Sequence, residues 1–429
     1  MTEISKPSLW QQIFTKNMLL CIFTGFSSGL PLYVLFQLVP AWLSSSGVDV
    51  KTIGFFTIIG FPYTWKFLIS PLLDRYYPNF LGRRRSWMFI TQIGLLALLV
   101  ILGQFNPSES IQIVAALSAL VAVFSAVQDI VIDAYRREIL SDEELGLGNS
   151  IHVNAYRIAG LIPGGISLIL ADSHPWQIVF IFTALFMIPG LILSLFLSKE
   201  PNVVQVDHNL PFYMTFTLPF KEFFSRKGLY AGLGLIFFIF LYKFGDSLAT
   251  SLQTKFILDM GFSNTDIGTV VKLNSLWASI ISGMVGGIMM IRLGVNRSLW
   301  VFGFVQLITI LGFIWMASYG KFDTIGAYEL FVLTVVIIGE YIGVGLGTAA
   351  FVAFMARETN PLYTATQLAI FTSLAAIPSK VIGAFSGVLV TDYGYYTFFW
   401  ICFIVGIPGM LMLFKIAPWS VKNNDLAKQ

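Results

Sequence analysis

Twelve apolar stretches, each long enough to cross a bilayer, run along this 429-residue chain, and nine ionisable side chains sit inside them. A span needs ~20 apolar residues to cross a ~30 Å hydrocarbon core. The stretches lie near 18–43, 53–73, 87–104, 111–133, 150–171, 176–198, 229–251, 264–290, 298–318, 328–355, 363–391 and 396–416. The embedded groups are Lys66, Asp129, Arg157, Lys243, Asp246, Lys272, Glu340 and Lys380, with Asp133 at a boundary. Asp266 and Glu329 lie at outer edges of spans and are not counted. A charge at bilayer depth costs ~2.5–3.5 kcal/mol on insertion scales, so it faces protein or a water-filled path. A chain carrying nine is expected to be built around a polar route through a membrane.

With 56% hydrophobic and 11% charged residues, the chain is too apolar for a soluble fold of this size. The longer stretches imply tilt or kinks, for which Pro31, Pro62, Pro163 and Pro378 are the expected points. Eighteen of the 26 basic residues fall in loops on one side, among them Arg75, Arg83, Arg84, Arg85, Arg136 and Arg137. Only Lys51, Lys255 and Lys321 fall in loops on the other. The positive-inside rule then predicts that both termini are cytoplasmic. The net charge of +3 follows from this loop bias, and no nucleic-acid partner is expected. Trp10, Trp42, Trp87, Trp176, Trp300 and Trp419 lie near span ends, as an interfacial belt would place them. Cys21 and Cys402 sit in the first and last spans, so neither disulfide nor metal cluster is expected. The first apolar run has no small-residue cleavage site behind it and reads as a retained span.

The only long connection, 199–227, carries Pro201, Pro211, Pro219, Lys221, Arg226 and Lys227 and reads as a cytoplasmic linker, part of it lying flat at the interface. It divides the chain into an N-terminal six-helix bundle (1–198) and a C-terminal one (228–429). A weak internal repeat follows the same division. After span two comes Ser70-Pro-Leu-Leu-Asp74-Arg75, then Leu81-Gly82-Arg83-Arg84-Arg85; after span eight comes Gly287-Ile-Met-Met-Ile291-Arg292-Leu293-Gly294. Both copies resemble the loop signature of the major facilitator superfamily, roughly G-x-x-x-D-R-x-G-R-R. The first has Ser for the leading Gly and extra residues before Gly-Arg-Arg; the second lacks the Asp. The resemblance implies an all-α multi-pass membrane protein with the major facilitator fold, twelve transmembrane helices in two pseudo-symmetric six-helix bundles. It also implies a cytoplasmic gate latch at Asp74, Arg75, Arg83 and Arg84; for the arginines at 83–85 a purely topology-setting role stays open. In that fold spans 3, 6, 9 and 12 are peripheral, and here those spans carry no embedded charge until Lys415 at the end of the last.

Depth follows from a rise of ~1.5 Å per residue. Lys66, Asp129 and Arg157 then lie ~10–12 Å in from the cytoplasmic face, where an Asp129–Arg157 contact with Lys66 near by is reasonable. Asp133 is one turn from Asp129 on the same helix face and close enough to the surface to meet loop arginines. His152 is placed to relay a proton. Lys243 and Asp246 share a face at i, i+3, Lys272 and Lys380 lie in the outer half, and Glu340 is near mid-membrane without an obvious partner. That isolation suits proton coupling. Cations outnumber acids slightly, which points to an anionic substrate. Structural ion pairing for Lys243–Asp246 and Asp129–Arg157, snorkelling for Lys272 and Lys380, and packing rather than sugar stacking for Trp65 and Trp277 stay open.

Gly339-x-x-x-Gly343-x-Gly345-x-Gly347 lies inside an apolar span and reads as close helix packing, not a dinucleotide loop. No G-x-x-x-x-G-K-[ST] occurs, so ATP-driven transport is not expected. No nucleophile–base–acid set appears, and His152, His174 and His208 are scattered; neither an enzyme nor a cofactor is expected. Gly160-Leu-Ile-Pro163-Gly164-Gly165 only partly resembles an antiporter signature.

Over essentially its whole length the chain is similar to the AmpG-type muropeptide permeases of Gram-negative inner membranes. The residues that carry this are Gly25-Phe-Ser-Ser-Gly-Leu-Pro31, Lys51-Thr-Ile-Gly-Phe55, Lys66-Phe-Leu, Gly82-Arg-Arg-Arg-Ser-Trp87 and Ser125-Ala-Val-Gln-Asp-Ile-Val-Ile-Asp-Ala134. Tyr156-Arg157, Tyr242-Lys-Phe-Gly-Asp246, Gly347-Thr-Ala-Ala-Phe-Val-Ala353 and Ala365-Thr-Gln367 match as well. Many members carry a longer C-terminal part, whose role is not carried over. The resemblance implies proton-driven import of N-acetylglucosaminyl-1,6-anhydro-N-acetylmuramyl peptides from periplasm to cytoplasm, feeding wall recycling and β-lactamase induction, by a monomer in the inner membrane. Asp129, Glu340, Asp133 and Asp246 are the expected proton carriers. Lys66, Arg157, Lys243 and Lys272 are expected to meet substrate carboxylates, with Gln128, Gln367, Trp65 and Trp277 as further substrate contacts. A carrier of another bulky anion such as acetyl-CoA, an exporter, and a transporter-like receptor are the alternatives.

Overall fold

The computed structural model describes residues 9–49, 52–53, 56–78, 80–201 and 211–419, apart from the side chains of Leu9, Trp10, Thr57, Asn264 and 378–385. Lys51, His208 and the side chains of Trp10, Pro378 and Lys380 therefore lie outside the described residues. Among those described there is no strand, and nine helices are long and apolar enough to cross a membrane. We label α1 Lys16–Ser45, α2 Lys66–Arg75, α3 Arg83–Leu102, α4 Pro107–Ile139, α5 Leu145–Ala171, α6 Trp176–Leu197, the linker helix α7 Met214–Lys227, and α8 Leu229–Asp259. The helical stretch Ile267–Ser318 is 52 residues, ~78 Å at 1.5 Å per residue, more than twice a bilayer core. It turns at Gly294 (φ 72, ψ 167) into α9 (267–293) and α10 (295–318). After α11, Ala327–Arg357, the 53-residue stretch Thr364–Ile416 turns likewise at Gly394 (φ 73, ψ 167) into α12 (364–393) and α13 (395–416).

Several helices overrun the apolar stretches that announce them. α4 continues to Ile139 and α3 starts at Arg83, so Arg136, Glu138 and the three arginines lie on helices rather than in loops. Polar residues extend a membrane helix when partners neutralise them, which is the case here. The kinks follow proline where it is described. Pro31 precedes a widened turn at Val34–Leu38, Pro163 lies within another at Ile162–Ile166, and Pro62 sits between a 3₁₀ turn and the break at Trp65 (φ −98, ψ 10) that starts α2. Lys243 (φ −100, ψ 4) breaks α8 with no proline in that helix.

The chain forms two compact units: 1–141 with 147–219 and 359–370, and 142–146 with 220–358 and 371–429. In the first, one apolar layer centres on Leu30, Leu38, Trp42, Leu99, Val121 and Phe180, and a second on Leu20, Leu73, Met88, Ile130, Tyr135 and Leu193. Trp42 is an edge-on partner of Phe180 at 4.8 Å and is fully buried, so it packs the core instead of forming a belt. Between the layers α1, α3, α4 and α6 contribute polar residues. Gln128 Nε2 donates to the Ser27 carbonyl at 2.7 Å and Ser194 Oγ to Gln92 Oε1 at 3.1 Å. α1 approaches α5 closely because Gly25 and Gly29 carry no side chain: a methyl at either would collide with the carbonyl oxygen of His152 or Tyr156. In the second unit aromatic packing dominates, with Phe256 against Phe313 and Phe399.

Gly394 has nothing within 4 Å of where a Cβ would sit, so Gly394→Ala tests backbone conformation alone. Its positive φ favours glycine, and the substitution is expected to cost about 1–3 kcal/mol. Gly387→Ala, also in open space but within the helix, is expected to be neutral or slightly stabilising. Thermal denaturation in detergent should separate the two; equal melting temperatures would mean the turn carries no strain.

Candidate functional site

Three charged clusters emerge from the fold. The first is on α1, α2, α4 and α5. Asp129 accepts a hydrogen bond from Ser28 Oγ, which the polar layer holds opposite it. One turn on, Asp133 receives Arg136 at 2.8 Å and Lys66 at 3.8 Å, and Arg136 Nε donates to Asn149 Oδ1 at 2.7 Å. Lys66, Asp129 and Asp133 thus form one group, with the lysine and acids only partly exposed. The break at Trp65 sets where Lys66 leaves its helix. Arg157 is half-buried on α5, within electrostatic reach of the Tyr33 hydroxyl. His152 is buried and meets Thr24 Oγ1 at 3.2 Å through Nδ1. Gln128 is fully buried in the polar layer.

The second cluster involves the three successive arginines at the start of α3, a position where helix dipoles favour anions. Carboxylates compensate for them. Glu200 accepts the backbone N–H of Arg84 at 2.9 Å and of Arg85 at 3.1 Å. Gly82 (φ 101) allows this, since a Cβ there would lie 2.7 Å from the Glu200 carboxyl carbon. Glu138 receives Arg83 at 2.9 Å and Arg84 at 2.6 Å. Asp74 takes Arg84 on Oδ1 at 2.8 Å, while its Oδ2 accepts the Thr366 N–H at 3.0 Å and the Thr366 hydroxyl at 2.7 Å. One carboxylate therefore joins the α2–α3 turn to the first turn of α12, where helix N–H groups favour an anion. Arg75 reaches Thr215 Oγ1 at 2.6 Å and the Pro211 carbonyl at 3.2 Å in the linker. Gln367 belongs to this cluster too: it accepts the Asn360 N–H and donates to the Pro219 carbonyl at 3.1 Å.

The third cluster is in the second unit. Lys243 meets Asp246 at 3.1 Å across the break in α8. Glu340 on α11 is fully buried, and the Asp246 carboxyl, the Thr309 hydroxyl and the Lys243 ammonium adjoin its carboxyl. Lys272 is exposed in the second turn of α9, and Trp65 and Trp277 are about half exposed. No group of three His, Cys, Asp or Glu able to hold a metal occurs among the described residues.

Ser28, Glu138, Glu200, Thr366 and Asn149 were not legible as site residues. A serine or threonine in an apolar helix carries no signal of its own. Glu138 could have been found by charge balance, because three arginines at a helix start require nearby anions.

The sequence pattern of the Major Facilitator Superfamily matches residues 22–379. Among solved structures, the human organic anion transporter TETRAN superposes with a TM-score of 0.69 over 95% of this chain and 100% of its own, at 15% identity. That likeness concerns the fold alone. The chain is 60% identical over 417 residues to an uncharacterised protein of Haemophilus influenzae, covering 97% of this chain and 98% of that one. It is 36% identical over 391 residues to the anhydromuropeptide permease of Escherichia coli, covering 91% of this chain and 77% of that protein. The chain belongs to the anhydromuropeptide permeases of the major facilitator superfamily, which are transporters and not enzymes.

Removing one partner of a buried ion network leaves the rest uncompensated, at a cost of about 3–5 kcal/mol. Asp74→Asn is therefore expected to lower the melting temperature sharply. Thr366→Val, which removes only a hydroxyl bond, is expected to cost about 1 kcal/mol. If Asp74→Asn proves no worse than Thr366→Val, the carboxylate does not hold the network.

Proposed function

We propose that the chain is a proton-coupled importer that carries anhydro-muropeptides, N-acetylglucosaminyl-1,6-anhydro-N-acetylmuramyl peptides, from periplasm to cytoplasm across the inner membrane. The observation that carries this is the 36% identity to the Escherichia coli anhydromuropeptide permease over most of both chains. In this reading the chain makes twelve passes as a monomer, with six-helix bundles at 1–198 and 228–429 and both termini cytoplasmic.

The chemistry of the first cluster supports the substrate class. Muropeptides carry peptide carboxylates, and Lys66, Arg136 and Arg157 supply cations around partly exposed acids. Lys66 is held by Asp133 at only 3.8 Å, loosely enough to exchange that acid for a substrate carboxylate. Asp129, with Asp133 beside it, carries a proton in exchange with this lysine. Glu340 and Asp246 form the second proton-carrying pair, with Lys243 as counter-charge. Asp74, Arg75, Arg83 and Arg84 act as the gate: when Asp74 releases Thr366, α12 is free to move.

Uptake of labelled anhydro-muropeptide into inner-membrane vesicles tests the reading. Import is expected to fall when the pH gradient is collapsed, and Lys66→Met is expected to lower it about tenfold, equivalent to ~1.4 kcal/mol of lost binding. Equal uptake with and without the gradient would remove proton coupling; competition by acetyl-CoA but not by muropeptide would reassign the substrate. Ligand binding with no accumulation would make the protein a receptor.

A further inference from the structure

The first cluster continues beyond its charges, along the contact of α1 with α5. The rings of Tyr33 and Tyr156 lie 5.6 Å apart at 59° and form a corner, with Arg157 in electrostatic reach of the Tyr33 hydroxyl. Tyr33 fits against α5 because Gly160 is bare: a Cβ there would lie 2.9 Å from its Cδ2. One turn on, a Cβ at Gly164 would collide with Gln37 Oε1. Both helices change pitch at this place, and their widened turns, Val34–Leu38 and Ile162–Ile166, lie against each other. Such turns are frequent at functional sites.

The corner is accessible. Gln37 is exposed, and Tyr33, Tyr156 and Arg157 are half-buried. Tyr156 also lies in electrostatic reach of Asp129 and Asp133, so the corner adjoins the group that holds Lys66. A surface that exposes an amide, a guanidinium and an ion pair together faces water and not lipid. It has two ends of different chemistry. Lys66, Asp133 and Arg136 make one end charged; two tyrosine rings with Gln37 and Arg157 make the other aromatic. An anhydro-muropeptide is divided in the same way. Its peptide carries carboxylates, whereas its disaccharide is uncharged, with C–H faces and a rim of hydroxyl and acetamido groups. Aromatic rings accept such faces, and a few placed polar groups fix the orientation.

We propose that the Tyr33–Tyr156 corner is a saccharide subsite for an N-acetylated pyranose ring. The ring packs its C–H face on Tyr33 with Tyr156 against its edge. Gln37 exchanges hydrogen bonds with the rim hydroxyls, Arg157 donates to an acetamido carbonyl, and the peptide extends toward Lys66. This rests on the muropeptide reading above and adds Tyr33, Gln37 and Tyr156 as the residues that select the sugar.

The test measures, by calorimetry on the full chain in detergent, binding of a neutral probe. The probe is the peptide-free N-acetylglucosaminyl-1,6-anhydro-N-acetylmuramyl disaccharide with its lactyl carboxyl amidated. Tyr33→Leu, which removes the ring, is expected to weaken probe binding about tenfold, and Tyr33→Phe, which keeps it, to stay within about threefold. Gln37→Leu, at an exposed position that the fold tolerates, is expected to weaken it about fivefold and decides the case if Tyr33→Leu misfolds. Lys66→Met, which weakens the intact muropeptide, should bind the neutral probe within about twofold of wild type. Probe affinity unchanged in either folded variant, or lost as far in Lys66→Met as in Tyr33→Leu, would overturn the subsite. A wild-type protein that imports muropeptide yet does not bind the probe would overturn it too. A wild-type protein that neither binds nor imports muropeptide would instead overturn the substrate reading, and the subsite with it.

Discussion

An ionised group surrounded by apolar helices must be neutralised where it stands, because no bulk water reaches it to share the charge. Asp74 meets that constraint twice over. Its two oxygens serve the buried guanidinium of Arg84 and the opening turn of α12. The same constraint explains Glu138 between Arg83 and Arg84, and Glu200 over the first N–H groups of α3. A tight network of this kind is stable only as a complete set, so it favours two discrete states over a continuum.

The other two clusters differ in how completely they are satisfied. Around Asp129 a serine, a lysine and an arginine meet two acids at a partly exposed face. Around Glu340 the surroundings are closed, and its carboxyl and that of Asp246 face the single ammonium of Lys243. An open, mixed-charge group suits a ligand that arrives and leaves. A closed, incompletely balanced one suits a proton, the only cation small enough to enter without its own coordination shell.

Much of the fold was legible because hydrophobicity marks membrane helices strongly. Most apolar runs located a helix, although 56–75 is broken into short helical pieces at Trp65, and the glycine of the repeated loop recurs as Gly82 and Gly294 with positive φ ahead of α3 and α10. The extents were less legible: α4 runs on to Ile139 because Arg136 and Glu138 find partners, which hydropathy does not encode. Lys243–Asp246 could be read from its i, i+3 spacing. The pairing of Lys66 with Asp133 could not, since the break at Trp65 sets the lysine's direction. Gln367 reads as a polar group in an apolar helix, yet it bonds the Pro219 carbonyl next to the Asp74 network. Tyr33 was invisible for another reason: a lone tyrosine in an apolar helix carries no signal until Gly160 of α5 is seen to make room for it.

Proton movement on substrate addition tests the account most directly. With purified protein in lightly buffered proteoliposomes and no imposed gradient, adding anhydro-muropeptide outside should raise the external pH as substrate and proton enter together. Entry of labelled muropeptide with no change in external pH would contradict it.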